Sequence, residues 1–173
     1  MARIVVKESR SMNSVTPFSV DIKAQLEPFT LGNMYLKASF DPNGLLTSII
    51  QENVRETSVA VQFVHYGTRK GQTMSGAYLF LPDGPARVLE PEADSHVRFI
   101  DGPIRSQVVV HMPYVEHQVT LHRSPDGVAL EIDNLVNIGG QNNFEVAMRL
   151  VTNLNTDSAF YSDLNGLQVS RKF

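Results

Sequence analysis

Apolar and polar residues alternate along much of this chain, in short runs separated by turn formers. The alternation runs from Met34 to Phe40, breaks at Asp41-Pro42-Asn43-Gly44 and resumes from Leu45 to Ile50. A period of two marks a strand with one buried face. Pro42 presets φ and Asn43-Gly44 tolerates positive φ, so this stretch predicts a β-hairpin. Val59 to His65 and Ala77 to Leu81 are further strand runs, the second ended by Pro82-Asp83-Gly84-Pro85. Val97 to Ile100, Ile104 to His111 and Val115 to His122 follow, punctuated by Asp101-Gly102-Pro103 and Met112-Pro113. Val128 to Val136 comes after Ser124-Pro125-Asp126-Gly127. Phe144 to Val151 contains good helix formers, yet Phe144, Val146, Met148 and Leu150 share one parity, and strand is the cleaner fit. Ala159 to Ser162 and Leu167 to Ser170 flank Asp163-Leu164-Asn165-Gly166.

About ten short strands at this spacing predict an all-β fold, an antiparallel β-sandwich. The first thirty residues are the least regular. Residues 1–30 read as a lead-in or linker in which Phe18 to Ile22 forms an edge strand, and 31–173 as the sandwich domain.

Composition narrows the function. At 173 residues the chain is long enough for one sizeable core. Its 42% apolar and 19% charged residues fit a globular domain. A net charge of −3 lacks the basic footprint of a nucleic-acid binder. With no cysteine, disulfides, thiolate metal sites and cysteine nucleophiles are excluded. No run approaches the ~20 apolar residues of a spanning helix, so membrane contact by this segment is not expected.

The chemistry-bearing residues have structural explanations beside functional ones. His111, His117 and His122 cluster in sequence, but His117 and His122 have opposite parity and point to opposite faces of a strand. His117 shares its parity with Val115, Val119 and Leu121, which makes it a hydrogen-bonded core histidine rather than a metal ligand. Gly139-Gly140 lacks a following Lys-Ser and is a turn. The polar stretch from His65 to Gly71 either lines a binding site or is a plain surface loop. No Gly-x-Ser-x-Gly elbow is present. Asp163 lies in Phe160-Tyr161-Ser162-Asp163-Leu164-Asn165-Gly166-Leu167-Gln168, where aromatic, carboxylate and amide groups share one turn. That mixture suits sugars: amides and acids meet hydroxyls, and aromatic faces meet C–H surfaces. From the residues alone, a turn in which Asp163 and Asn165 satisfy local backbone groups is the simpler reading.

Two segments resemble signatures of the class II α-mannosidases, glycoside hydrolase family 38. One is Ser75-Gly76-Ala77-Tyr78-Leu79-Phe80-Leu81-Pro82-Asp83-Gly84. The other, Phe160 to Gln168, is similar to the family's Phe-Tyr-Thr-Asp-Leu-Asn-Gly-x-Gln motif, with Ser162 in place of Thr. Asp41 to Ile49, Asn134 to Ile138 and Glu145 to Arg149 fit the same family region in the same order. The match runs from about Leu31 to Gln168 and points to the Golgi branch.

The resemblance implies the C-terminal super-sandwich type of β-domain from a retaining α-mannosidase that trims terminal mannose from N-linked glycans. The family's Asp nucleophile, Asp acid/base and zinc ligands belong to an N-terminal domain and have no counterparts here. By resemblance zinc is a cofactor of the parent enzyme, none is bound within this chain, and the segment alone is inactive. The family continues beyond the Asp-Leu-Asn-Gly turn, so a fragment truncated at its C-terminal side is expected. Expected partners are the parent's catalytic and helical domains and a mannose-containing glycan; the expected place is the Golgi lumen. The family's β-region reaches toward the active site near this motif, which makes Asp163, Asn165 and Arg171 the candidate substrate-binding residues. The alternative is a free-standing carbohydrate-binding or adhesion module of sandwich fold.

Overall fold

The structure, a computed structural model, describes residues 19–23, 27–52, 56–71, 79–92, 95–123, 128–163 and 165–172. Its strands are β1 (Ser19–Lys23), β2 (Phe29–Gly32), β3 (Leu36–Phe40), β4 (Leu46–Gln51), β5 (Thr57–Gly67), β6 (Arg87–Val88) and β7 (His96–Asp101). They continue with β8 (Arg105–Met112), β9 (Val115–His122), β10 (Leu130–Val136), β11 (Phe144–Thr152), β12 (Phe160–Asp163) and β13 (Val169–Lys172). All pairings are antiparallel. One sheet has the order β1-β7-β8-β9-β10; the other has the order β11-β5-β4-β3-β2, with β6 added beside β5; β12 and β13 pair with each other. The expected all-β sandwich is therefore present, and 144–152 is a strand, not a helix. The edge strand expected near 18–22 is β1 at the margin of the five-stranded sheet.

The core lies between the two larger sheets. Leu31, Leu36, Ala38, Phe40, Leu46, Val61 and Phe63 from one sheet meet Val97, Val108, Val110, Val115, Val119 and Leu121 from the other. These are the alternate residues the period-two pattern selects for one face. The β3–β4 turn is pressed into this core. Asp41 Oδ1 accepts hydrogen bonds from the Asn43 and Leu45 amides, and the Gly44 amide donates to the Asp41 carbonyl. Gly44 itself is buried at φ +78°.

His117 is fully buried on the core face of β9, as its parity predicts. Its Nδ1 lies 2.8 Å from Asn134 Oδ1, and its ring meets Phe63 edge-on at 5.2 Å. A carboxamide oxygen can only accept, so Nδ1 carries the proton. Nε2 is then a buried lone pair with no hydrogen-bond partner. Asn134 also donates to Met148 Sδ at 3.4 Å, which links the facing edges of the two sheets.

Two expectations are corrected. Ala77 and Tyr78 lie outside the described residues, and Leu79 to Leu81 do not form a strand. The Leu81-Pro82-Asp83-Gly84 motif is instead a loop tied to the end of β5. Arg69 N donates to Leu81 O, Asp83 N to Gly67 O, and Gly67 N to Asp83 Oδ1. Arg87 Nη1 reaches both Asp83 oxygens at 3.2 Å. The same contacts carry β5 on to Gly67, so His65-Tyr66-Gly67 belong to a strand rather than to a loop. The Arg87 guanidinium holds the Asp83 carboxyl below its ordinary 3.8. A depressed carboxylate stabilises the fold above its unfolded value, and that contribution is lost as pH falls through the lower folded value. Asp83→Ala is expected to speed amide exchange at Gly67 and Arg69 while leaving β9 protected. Unchanged exchange at Gly67 would show that the motif is not held by this carboxylate.

Candidate functional site

The Phe160–Gln168 motif forms the β12–β13 hairpin and the bend between its strands. The bend forms because Asn165 and Gly166 accept positive φ, at +53° and +72°, a region Asn and Gly tolerate better than other residues. Asp163 Oδ2 accepts the Gly166 amide at 2.8 Å and holds the turn closed. The register pairs Phe160 with Lys172, Tyr161 with Arg171, Ser162 with Ser170 and Asp163 with Val169.

Alternation then sorts the hairpin into two faces. Phe160, Ser162, Ser170 and Lys172 share one. Tyr161, Asp163, Val169 and Arg171 share the other. Asp163 and Arg171, eight positions apart in sequence, become diagonal neighbours, a relation that spans roughly 7–8 Å. Asn165 sits in the bend beside them. The structure thus places the three candidate residues on one hairpin, with Asn165 in the bend, Asp163 in the pair that closes it and Arg171 two pairs further back. It also gives Asp163 the local turn role that its sequence context suggested.

Sequence reasoning does not single out Tyr161. It lies directly across from Arg171 and is 68% exposed. Only the register reveals that pairing; the available signal is its position two residues before Asp163, which fixes the same face on any strand.

The hairpin is open to solvent. Neither strand pairs with a described strand of the two large sheets. Leu167 is 90% exposed, and Phe160 and Val169 are exposed as well. This exposure extends through the C-terminal third. Every fully buried apolar residue among those described lies between Leu31 and Leu121. Beyond Val128, by contrast, Leu135, Leu150, Val151 and Leu154 are all exposed. Met148 and Leu150 share the parity of Phe144 and Val146, so they continue the core face of β11 past the point where the facing sheet covers it. Exposed apolar residues thus recur on each of β10, β11, β12 and β13.

Elsewhere, a cleft of about 360 Å³ runs over β5 where β4 and β6 diverge, lined in part by Asp41, Asn43, Gln62 and Glu90 over Val61 and Leu89. Gln62 Oε1 is already engaged by Arg149 at 2.7 Å and 3.0 Å. The three histidines that cluster in sequence disperse: His117 is in the core, His111 Nδ1 lies 3.3 Å from Glu116, and His122 Nε2 lies 3.2 Å from Glu131. Among the described residues no group of three or more His, Asp or Glu side chains is placed to hold a metal ion. The described residues therefore do not fit a zinc site.

Comparison with known proteins adds three findings. Residues 31–173 match the glycosyl hydrolases family 38 C-terminal domain. Alpha-mannosidase 2 of Drosophila melanogaster is 41% identical over 135 residues, which cover 78% of this chain and 12% of that protein. Alpha-mannosidase 2 of Mus musculus is 36% identical over 146 residues, 83% of this chain and 13% of the relative. Alpha-mannosidase 2x of Mus musculus is 33% identical over 168 residues, 95% of this chain and 14% of the relative. The chain thus spans a small part of the length of these relatives.

Proposed function

Since the chain belongs to the glycosyl hydrolases family 38 C-terminal domain family, we propose that it is the non-catalytic β-domain of an α-mannosidase and acts by packing against that enzyme's catalytic part. The parent hydrolyses terminal α-linked mannose during N-glycan trimming in the Golgi lumen, with zinc held by its catalytic domain. It retains configuration: an Asp nucleophile forms a mannosyl-enzyme, and water releases the sugar. Residues 31–173 are the β-domain and residues 1–30 its lead-in.

The observation that carries this reading is the uncovered C-terminal third. Apolar side chains from Leu135 to Val169 stand in solvent, while the core between Leu31 and Leu121 is closed. A surface of this kind marks a protein–protein contact. The β12–β13 hairpin in this third carries Asp163, Asn165 and Arg171. Arg171 binds sugar hydroxyls or braces the pocket from its far side. Asp163 holds the bend in shape through Gly166, and Asn165 presents its amide at the tip.

Two measurements test the division of labour. The 173-residue chain alone, given an aryl α-mannoside and zinc, is expected to show no turnover; turnover at the rate of an intact α-mannosidase would refute it. In the longer parent, the change corresponding to Arg171→Ala is expected to lower kcat/KM by roughly 10- to 100-fold, the effect of losing one hydrogen bond to a charged group. An unchanged kcat/KM would remove Arg171 from the site.

A second reading rests on the exposed face shared by Tyr161, Asp163 and Arg171. A free-standing carbohydrate-binding or adhesion module would bind glycan there by itself. Titration of the isolated chain with mannose oligosaccharides separates the two: chemical-shift changes from Tyr161 to Gln168 at millimolar sugar favour the module, and their absence favours the enzyme domain.

A further inference from the structure

We infer that the stacked His96–His111 pair is an acid-operated latch, closed while it carries at most one proton and released when both rings are charged. The two residues are register partners on β7 and β8. Their ring centroids are 4.3 Å apart and the planes differ by 25°. Glu116 is the next register partner of His111, on β9. Two imidazoles and a carboxylate thus form one row across three strands, on the face of the sheet away from the core.

The row sits where a release would have room to act. His96 and His111 line a cavity of about 160 Å³ together with Glu92, Ser95, Met112 and Pro113. Glu92 and Ser95 are bonded to each other: Glu92 N donates to Ser95 Oγ, and Ser95 N donates to the Glu92 carbonyl. Ser95 directly precedes β7, which begins at His96. The stack closes that end of the strand against β8.

Charge supplies the trigger. With one proton, the row holds an imidazolium, a neutral ring and a carboxylate, an arrangement with net attraction. With two protons, like charges face each other at stacking distance, and a small separation in a partly dry setting makes that repulsion strong. Among the described residues, charged groups facing the pair include Glu116 on β9, Arg98 on β7 and Glu92 on the segment before β7. Glu116 favours the second proton; Arg98 opposes it. The balance falls against it. Burial pushes the His111 value below its ordinary 6.5, Glu116 pulls it back up, and His96 and Arg98 push it down again. His111 Nε2 is shut off from water and has no hydrogen-bond partner, so a proton placed there is unsatisfied until the stack opens.

The test uses the 173-residue chain. Ring titration by NMR is expected to place the His111 midpoint higher in His96→Gln than in the wild type, by about half a pH unit or more, since a neighbouring cation is gone. Glu116→Gln is expected to lower it. Amide exchange at 95–97 and 111–112 is expected to rise about tenfold on acidification relative to amides of the β9 core, the signature of local opening. His96→Phe keeps a ring in the stack but can take no proton, and the rise is expected to vanish. An unchanged His111 midpoint in His96→Gln overturns the inference. So does an acid-induced rise in His96→Phe equal to that of the wild type, or one spread equally over β9. If His96→Phe does not fold, the His96→Gln titration alone still decides.

Discussion

Gly44→Ala is expected to destabilise the fold by about 2–5 kcal/mol, the sum of a left-handed alanine and an overpacked core. Both costs arise at one atom. At φ +78° an alanine is strained wherever it points. Here its Cβ would come within 2.8 Å of Val110 Cγ2 and Val97 Cγ1, and 3.3 Å of Val108 Cγ1. Those valines are fully buried and cannot move outward without dragging β7 and β8 with them. The turn cannot move either, because Asp41 fixes it through the Asn43 and Leu45 amides. Since domains of this size are stable by about 5–15 kcal/mol, the variant should lose a large share of its resistance to urea. A denaturation midpoint within error of the wild type would mean that the turn does not enter the core.

The second large effect concerns His117 and depends on pH. Burial pushes its value below 6.5, opposed by the Asn134 hydrogen bond. The folded state therefore binds this proton less readily than the unfolded chain does. Stability is complete above the unfolded value, near 6.5, and falls as pH drops from there toward the lower folded value. Within that window the slope is about 1.4 kcal/mol per pH unit for one proton. His111, lowered chiefly by burial, contributes with the same sign. A variant therefore has to separate the two. His117→Phe keeps an apolar ring against Phe63 and removes the proton, so its urea midpoint should lose less between pH 7 and pH 5 than that of the wild type. Equal losses in both proteins would assign the acid sensitivity elsewhere. His117→Ala adds a cavity and is expected to cost a further 2–5 kcal/mol or so at neutral pH, the range for large core truncations.

The strands are legible where one local signal decides them. Asp41-Pro42-Asn43-Gly44 carries its own turn chemistry, and Phe144 to Val151 carries its own alternation. Leu79-Phe80-Leu81 has an equally apolar run, yet long-range bonds hold it as a loop. Leu81 O is taken by Arg69 N, and Phe80 packs edge-on against Tyr66 at 5.3 Å. Nothing within the run announces those partners. The same bonds extend β5 two residues past its apolar pattern.

The partnership of β1 with β7, which joins Ser19 to Asp101, has no local signal at all. At the hairpin, Asp163 and Asn165 can be named from the motif. The face they share with Tyr161 and Arg171 follows from register, which depends on how many residues the bend consumes. His117 is legible because parity alone places it inward; its bare Nε2 is not, since that depends on what β5 brings opposite.

The uneven distribution of enclosed side chains bears on how the polypeptide is made. Among the described residues, all the fully buried apolar side chains have been reached in sequence by Leu121, and Leu130, Ile132 and Val146 pack against them afterwards. A chain leaving the ribosome can collapse that interior while the stretch from Val128 onward is still being synthesised. The late-arriving β10 and β11 then dock on β9 and β5 and lay Leu130, Ile132 and Val146 over a nascent interior that is already collapsed.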